Sequence, residues 1–215
     1  MKKKLSIHFS TKVISGDTSL SHIRGPAEHE VREQIVRAAG VYFRTFGYEK
    51  TTVSELARHI GFSKAYIYKF FNSKQAIGEA IASSCIETII DSSAVSFARA
   101  ASPDEKLSLF ITSLTNTIKQ LLFEEKKLYD IVKFAVLENW YCHQRLQNFI
   151  ETTIAAILDE GRGSGLFDNR LPVEVVGESI YLSFQSFLNP VMLEYSQDQD
   201  PKLVIDLVLS GIRKK

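Results

Sequence analysis

The sequence predicts an all-α chain in two parts, a small N-terminal three-helix module and a larger helical body. Three observations predict it. Apolar residues recur at three- and four-residue steps along most of the 215 residues. Only five prolines break those runs, and Pro103 and Pro201 stand where helices begin. Finally, the stretch from Thr51 to Ile77, TTVSELARHIGFSKAYIYKFFNSKQAI, has the spacing of two short helices joined by a glycine turn.

The first helix of the module carries Val31, Ile35, Ala38, Ala39, Tyr42, Phe43 and Phe46 on one face, and Gly47 is a natural left-handed stop. Thr52 and Glu55 have the T-x-x-E spacing of a capping box, in which two side chains satisfy exposed amides reciprocally. Val53, Leu56, Ala57 and Ile60 then share a face, and Gly61 ends the run. Ser63 caps a second short helix whose Ile67 and Phe71 face inward. Ala65 and Lys69 point the opposite way, flanked by Lys64, Tyr66 and Tyr68. Cations and hydroxyls around one small residue suit a helix that enters the DNA major groove. On periodicity alone, an amphipathic helix with a solvated face reads equally well.

The order of letters favours DNA. Gly47-Tyr48, Thr51 to Ala57, Gly61 to Lys64, then Tyr68, Phe70, Phe71, Ser73 and Lys74 resemble the DNA-binding domain of TetR-family transcriptional repressors over about residues 31–77. Phe70 stands where that family usually has Tyr, and Lys69 where it often has His, which alters the groups available to phosphates. The resemblance implies a helix-turn-helix reader of double-stranded operator DNA built on Thr51, Thr52, Ser63, Lys64, Ala65, Tyr66, Tyr68, Lys69 and Lys74. Ala65 and Tyr66 are expected to face bases and the others mainly phosphates. Lys74 lies in the first turn of the next helix, where a cation opposes the helix dipole, and a phosphate partner is one reason for it.

The chain divides into a flexible leader over 1–27, the reader over 28–82 and a helical body over 83–215. Residues 1–83 carry thirteen Lys and Arg against seven Asp and Glu, while the remainder carries thirteen against eighteen. A basic module on an acidic body fits a DNA reader joined to a regulatory part. Lys2, Lys3, Lys4 and Lys12 give the leader the character of a basic arm or a solubilising tail. A hydrophobic content of 45% argues against disorder, and no apolar run approaches the roughly 20 residues that cross a bilayer, so the chain is expected to stay in the cytoplasm.

In the body, a linking helix continues through Ile77, Ile81, Cys85 and Ile89. Helices are then expected from Pro103 to Leu122, from about Glu124 through Leu128 to Val136, and from Tyr141 to Leu158. Two more run from Val173 to Tyr195 and from Pro201 to Arg213. Gly161-Arg-Gly-Ser-Gly165 follows a helix rather than a strand and is a poor nucleotide loop. Cys85 and Cys142 lack a paired spacing, so buried thiols are expected and no metal or cofactor is called for.

Ile180, Phe184, Phe187, Leu188, Leu203 and Leu207 make the last two helices densely apolar. The TetR resemblance implies a homodimer that covers them with a twofold copy, and internal packing explains them equally well without it. The resemblance also implies release of DNA by a small molecule. Phe110, Phe134, Trp140, Tyr141, His143, Phe184 and Gln185 are candidates to line its site, which suggests an apolar or aromatic ligand. No nucleophile motif or metal set supports the competing reading, an enzyme using a helical cavity. A third reading keeps DNA binding and makes the body a platform without a ligand.

Overall fold

The computed structural model describes residues 26–124, 129–196 and 199–215. The leader and its lysines lie outside the described residues up to position 25, as does Leu128. α1 (Pro26–Phe46) is followed by α2 (Val53–Ile60), α3 (Lys64–Tyr68) and α4 (Lys74–Phe97). The body continues with α5 (Pro103–Glu124), α6 (Tyr129–Leu137) and α7 (Tyr141–Gly163). It closes with α8 (Val173–Ser183), α9 (Gln185–Leu188), α10 (Pro190–Leu193) and α11 (Pro201–Ile212). The fold is all-α, an N-terminal helix-turn-helix domain followed by a helical C-terminal domain.

Two apolar cores organise it. One joins Ile35, Phe43, Leu56, Ile67, Phe71 and Ile77 of the module to Ile131, Ala135, Trp140 and Cys142 of the body. The other, inside the body, packs Leu107, Phe110, Leu114, Ile154, Phe184 and Phe187. α4 contributes to both, with Ile81 in the first and Ile89 in the second. Along α5 it also pairs hydroxyls, Ser92 Oγ with Thr117 Oγ1 at 2.9 Å and Ser96 Oγ with Ser113 Oγ at 2.9 Å.

One expected helix is broken. Val173–Tyr195 becomes α8, α9 and α10, because Phe184 leaves helical geometry and Asn189 is extended before Pro190. Proline disfavours the α conformation in the residue before it and brings no amide of its own, so the chain turns there. Asn189 Oδ1 then accepts from Val191 N at 2.9 Å and caps the next turn.

The loop after α7 returns closely on itself. A Cβ at Gly161 would lie 2.0 Å from Phe167 Cδ2, so only glycine admits the buried ring. Asp168 N donates to Ile212 O at 2.9 Å and Lys214 N to Leu166 O at 2.9 Å, tying the end of α11 to this loop. Arg213 pairs with Asp104 and so fastens the same end to α5.

Candidate nucleic-acid interface and regulatory cavity

The helix-turn-helix is built from local bonds. Thr52 N donates to Glu55 Oε2 at 2.8 Å while Glu55 N donates to Thr52 Oγ1 at 3.2 Å, forming the reciprocal capping box. Gly61 adopts φ +85°, a left-handed value that costs glycine no Cβ clash, and turns the chain toward Ser63. Ser63 Oγ accepts from Tyr66 N at 3.1 Å and starts α3. Val53, Leu56, Ala57, Ile67 and Phe71 are all buried, so the helix pair is locked to α1.

α3 exposes Lys64, Ala65, Tyr68 and its C-terminal neighbour Lys69, with Ser63 and Thr52 also at the surface. Lys64 Nζ lies 5.8 Å from the centre of the Tyr68 ring and Lys69 Nζ 5.5 Å from that of Tyr66. Tyr66 is half-buried, edge-on to Phe62 and Phe70 at 5.0 and 5.4 Å, so packing fixes its direction. Thr51 is buried instead, its hydroxyl donating to Gly47 O at 2.8 Å. Lys74 is half-buried and donates to Tyr48 O and Glu49 O, both at 3.1 Å, with its ammonium 4.5 Å from the centre of the Tyr48 ring. Its ammonium closes the turn between α1 and α2, a physical reason for a cation at an otherwise unfavourable helix start.

Tyr48 is also where the module meets the body. Its ring stands 5.6 Å from Trp140 and 5.3 Å from Phe134. Burial raises its hydroxyl pKa well above the usual tyrosine range, and Glu138 adds to this. Trp140 is 1% exposed and its Nε1 donates to Glu138 Oε2 at 2.8 Å. Gly78 of α4 completes the joint: a Cβ there would come 2.8 Å from Tyr48 and 2.9 Å from Trp140. Just beyond, Glu79 Oε1 accepts from Cys142 N at 3.1 Å, binding α4 to the start of α7. Burial, with Glu79 nearby, pushes the Cys142 thiol up to about 11, so it stays protonated.

Behind this joint lies a cavity of about 90 Å³ among α4 to α10. Ala82, Cys85, Ile86 and Ile89 line it from α4, with Leu121 and Leu122 on α5 and Val132, Ala135 and Val136 on α6. Its polar groups are neutral ones, His143, Gln147, Tyr181, Gln185 and Asn189. Burial lowers the His143 pKa and so favours the neutral ring. Gln185 stands beside the Tyr181 hydroxyl and partly offsets the upward effect of burial on its pKa.

Of the seven ligand-site candidates, the structure brings only His143 and Gln185 to this cavity. Phe110 and Phe184 are core residues of the body, and Phe134 and Trp140 belong to the joint. Tyr141 is largely exposed. Cys85, Ile89, Leu121 and Tyr181 were missed because they carry ordinary helical periodicity, which does not distinguish core from cavity wall.

The apolar residues of the last helices also divide. Ile180, Phe184 and Phe187 are buried in their own subunit, and Leu188 lines the cavity. Leu203 and Leu207 are 75% and 71% exposed, and α8 adds Val175 and Leu182 to the exposed apolar set.

A capped helix-turn-helix with a basic outer face, docked on a helical body that holds an apolar cavity, defines a DNA-binding transcriptional regulator. Residues 35–81 match the family model for bacterial regulatory proteins of the tetR family. Residues 103–206 match that for the tetracyclin repressor-like C-terminal domain. Together these spans cover well over half of the chain, which belongs to the TetR family. Comparison with curated proteins returned no match. Among solved structures, the TetR-family regulator PfmR from Thermus thermophilus is 25% identical, over 84% of this chain and 99% of that one, with a TM-score of 0.56. FadR from Bacillus subtilis, solved in complex with stearoyl-CoA, is 22% identical over 83% and 95%, with a TM-score of 0.61. The fatty acid degradation regulator FadR from Bacillus halodurans is 21% identical over 87% and 94%, with a TM-score of 0.60. The two FadR likenesses are likenesses of fold. Among the described residues no helix is long and apolar enough to cross a membrane.

Proposed function

We propose that the chain is a repressor that holds a palindromic operator as a homodimer and lets go when a small apolar or aromatic molecule enters the cavity. One observation carries the reading. Ala82, Cys85, Ile86 and Ala135 belong to the core shared with the DNA-binding module and also line the cavity. A molecule of drug size needs roughly 300–1,000 Å³, so it must widen the space and displace α4 against α6 and α7. That displacement moves the seat of the module, and with it the spacing of two recognition helices in a dimer. Gln185, beside the Tyr181 hydroxyl, gives the wall a polar group that suits a ligand with one polar end. B. subtilis FadR was solved with stearoyl-CoA, a precedent in a similar fold for a ligand that includes a long apolar chain.

The small volume also favours a second reading, a DNA-binding regulator without a small-molecule inducer. A linkage titration decides between them. A duplex selected by the protein from a random pool serves as operator, and a molecule retained by the purified protein, identified by mass spectrometry, serves as ligand. By reciprocity the operator should lower ligand affinity by the same factor as the ligand lowers operator affinity, about 5–150-fold. Equal ligand affinities with and without the duplex would leave the second reading.

The interface itself is tested at Lys64, which is exposed at the start of α3. Lys64→Ala should weaken duplex binding and reduce the slope of log affinity against log salt by about one. An unchanged slope would remove Lys64 from the phosphate contacts. Lys69→Ala should behave alike, whereas Lys74→Ala should act through stability, because its ammonium holds two carbonyls.

A further inference from the structure

The polar side chains in the wall of the cavity behind the joint differ in what they can offer a ligand. Asn189 Oδ1 is taken by Val191 N, which leaves its amide nitrogen, a donor, as the free end. Gln147 Nε2 donates to Glu151 Oε1 at 2.8 Å, which leaves its oxygen as an acceptor. Tyr181 and Gln185 stand beside each other. His143 differs from these in kind, because an imidazole can take up a proton near neutral pH. It lies one turn before Gln147 on α7 and is half-buried rather than sealed.

Among the described residues no Asp, Glu, Lys or Arg lines this cavity. α4 adds only Cys85 to the wall as a titratable group and α8 only Tyr181, while α5, α6, α9 and α10 add none. Charged groups on the surrounding helices are engaged elsewhere: Glu79 with Cys142 N, Glu87 with Arg145 at 3.8 Å, and Glu151 with Gln147. Burial alone lowers the His143 pKa, and no neighbouring charge contributes. Ionic ligands therefore meet unequal reception. A cation would be buried without a counter-charge, which is costly. An anion can recruit one, by drawing a proton onto His143.

Resting on the reading of this cavity as the inducer site, we propose that its ligand is a weak acid, a carboxylate on a compact apolar body, taken up together with one proton that His143 holds. Neutral imidazole, carboxylate and a proton from solvent become a hydrogen-bonded imidazolium–carboxylate pair, and no covalent bond between heavy atoms changes. The apolar body lies against Ile86, Ile89, Val132 and Ile150 and supplies affinity, while His143 supplies selection for the acid. In the empty cavity the imidazole pKa lies below its ordinary value, and the bound carboxylate raises it. Between those two values each binding event takes up a proton, so affinity for the acid falls as pH rises, toward tenfold per pH unit. The regulator then answers an acid more strongly as its surroundings acidify.

The test uses the full chain, with sodium octanoate and octan-1-ol as probes in calorimetric titrations between about pH 6.5 and 8, where the free acid is ionised. Titrations in two buffers of different ionisation enthalpy count the protons. Octanoate should take up close to one proton per molecule bound and lose affinity as pH rises, while octan-1-ol should show neither effect. With its carboxyl carbon isotopically labelled, bound octanoate should still resonate as a carboxylate. His143→Gln should remove the proton uptake and weaken octanoate about tenfold or more, leaving the alcohol's affinity unchanged. Octanoate that fails to bind, binds without proton uptake or resonates as the protonated acid would overturn the proposal, as would uptake that survives His143→Gln. If the alcohol binds and lowers duplex affinity while octanoate does neither, the inducer site stands and the acid is wrong. If neither probe binds, the proposal falls, and the linkage titration with the retained molecule still judges the inducer site. Should His143→Gln fail to fold, the labelled carbon decides.

Discussion

Leu207→Glu should yield a folded monomer, and Phe187→Glu should yield no stably folded protein. Both residues are apolar and both lie in the last helices, yet they face opposite ways. Phe187 is 4% exposed, in the body's core beside Phe184, with ring centres 6.4 Å apart. A carboxylate there has no partner, and an unpaired buried charge together with the lost ring rivals the roughly 5–15 kcal/mol that holds a domain folded. Leu207 is already hydrated in one subunit, so a charge there costs nothing until a second copy covers it. With the proposed twofold interface broken, the two readers no longer bind as one. Duplex affinity should then fall by roughly 10²–10⁴-fold, the contribution of linking two modest contacts. Sedimentation and duplex binding check both steps. A Leu207→Glu protein that still sediments as a dimer would move the interface away from α11, and Leu182→Glu on α8 would be the next site to try.

The joint offers the second large effect. Trp140→Ala should cost about 3–5 kcal/mol of stability, as emptying a core of a large aromatic residue does. Gly78→Ala attacks the same joint from the other side. Its new Cβ would press on Tyr48 and Trp140 at 2.8 and 2.9 Å, overpacking worth about 1–3 kcal/mol. The two substitutions should not add. With Trp140 removed, one of the two rings that oppose the Cβ is gone, so the double variant should be more stable than the sum predicts by roughly 0.5 kcal/mol or more. Urea midpoints for the four proteins measure this, and strict additivity would show that Gly78 and Trp140 are not in the contact described.

The parts of the helix-turn-helix that were legible in the sequence are those whose partners are close in the chain. Thr52 and Glu55, Gly61, and Ser63 with Tyr66 form units of three or four residues, so spacing alone specifies them. Lys74 was legible only as an anomaly, a cation at a helix start. Its partners Tyr48 and Glu49 lie twenty-six and twenty-five residues earlier, and no local pattern connects them. The body hid more. α8, α9 and α11 are all densely apolar, so periodicity could not tell Ile180 and Phe187, which turn inward, from Leu203 and Leu207, which do not. The cavity draws its walls from many helices, and the aromatic residues that drew attention, Phe110 and Phe184, fill the core instead. The break at Asn189-Pro190 was written in the sequence as proline chemistry, but the dense apolar run on either side read through it.

The chain contains a single tryptophan, and it is the one wedged between Tyr48 and Gly78. All indole emission from the protein therefore originates at the joint between the DNA-binding module and the body. In the closed joint the ring is shielded from water and should emit toward the blue. Any event that loosens this packing should shift the colour toward the red. The protein thus carries its own optical gauge of how firmly the reader is seated, with no dye or label attached.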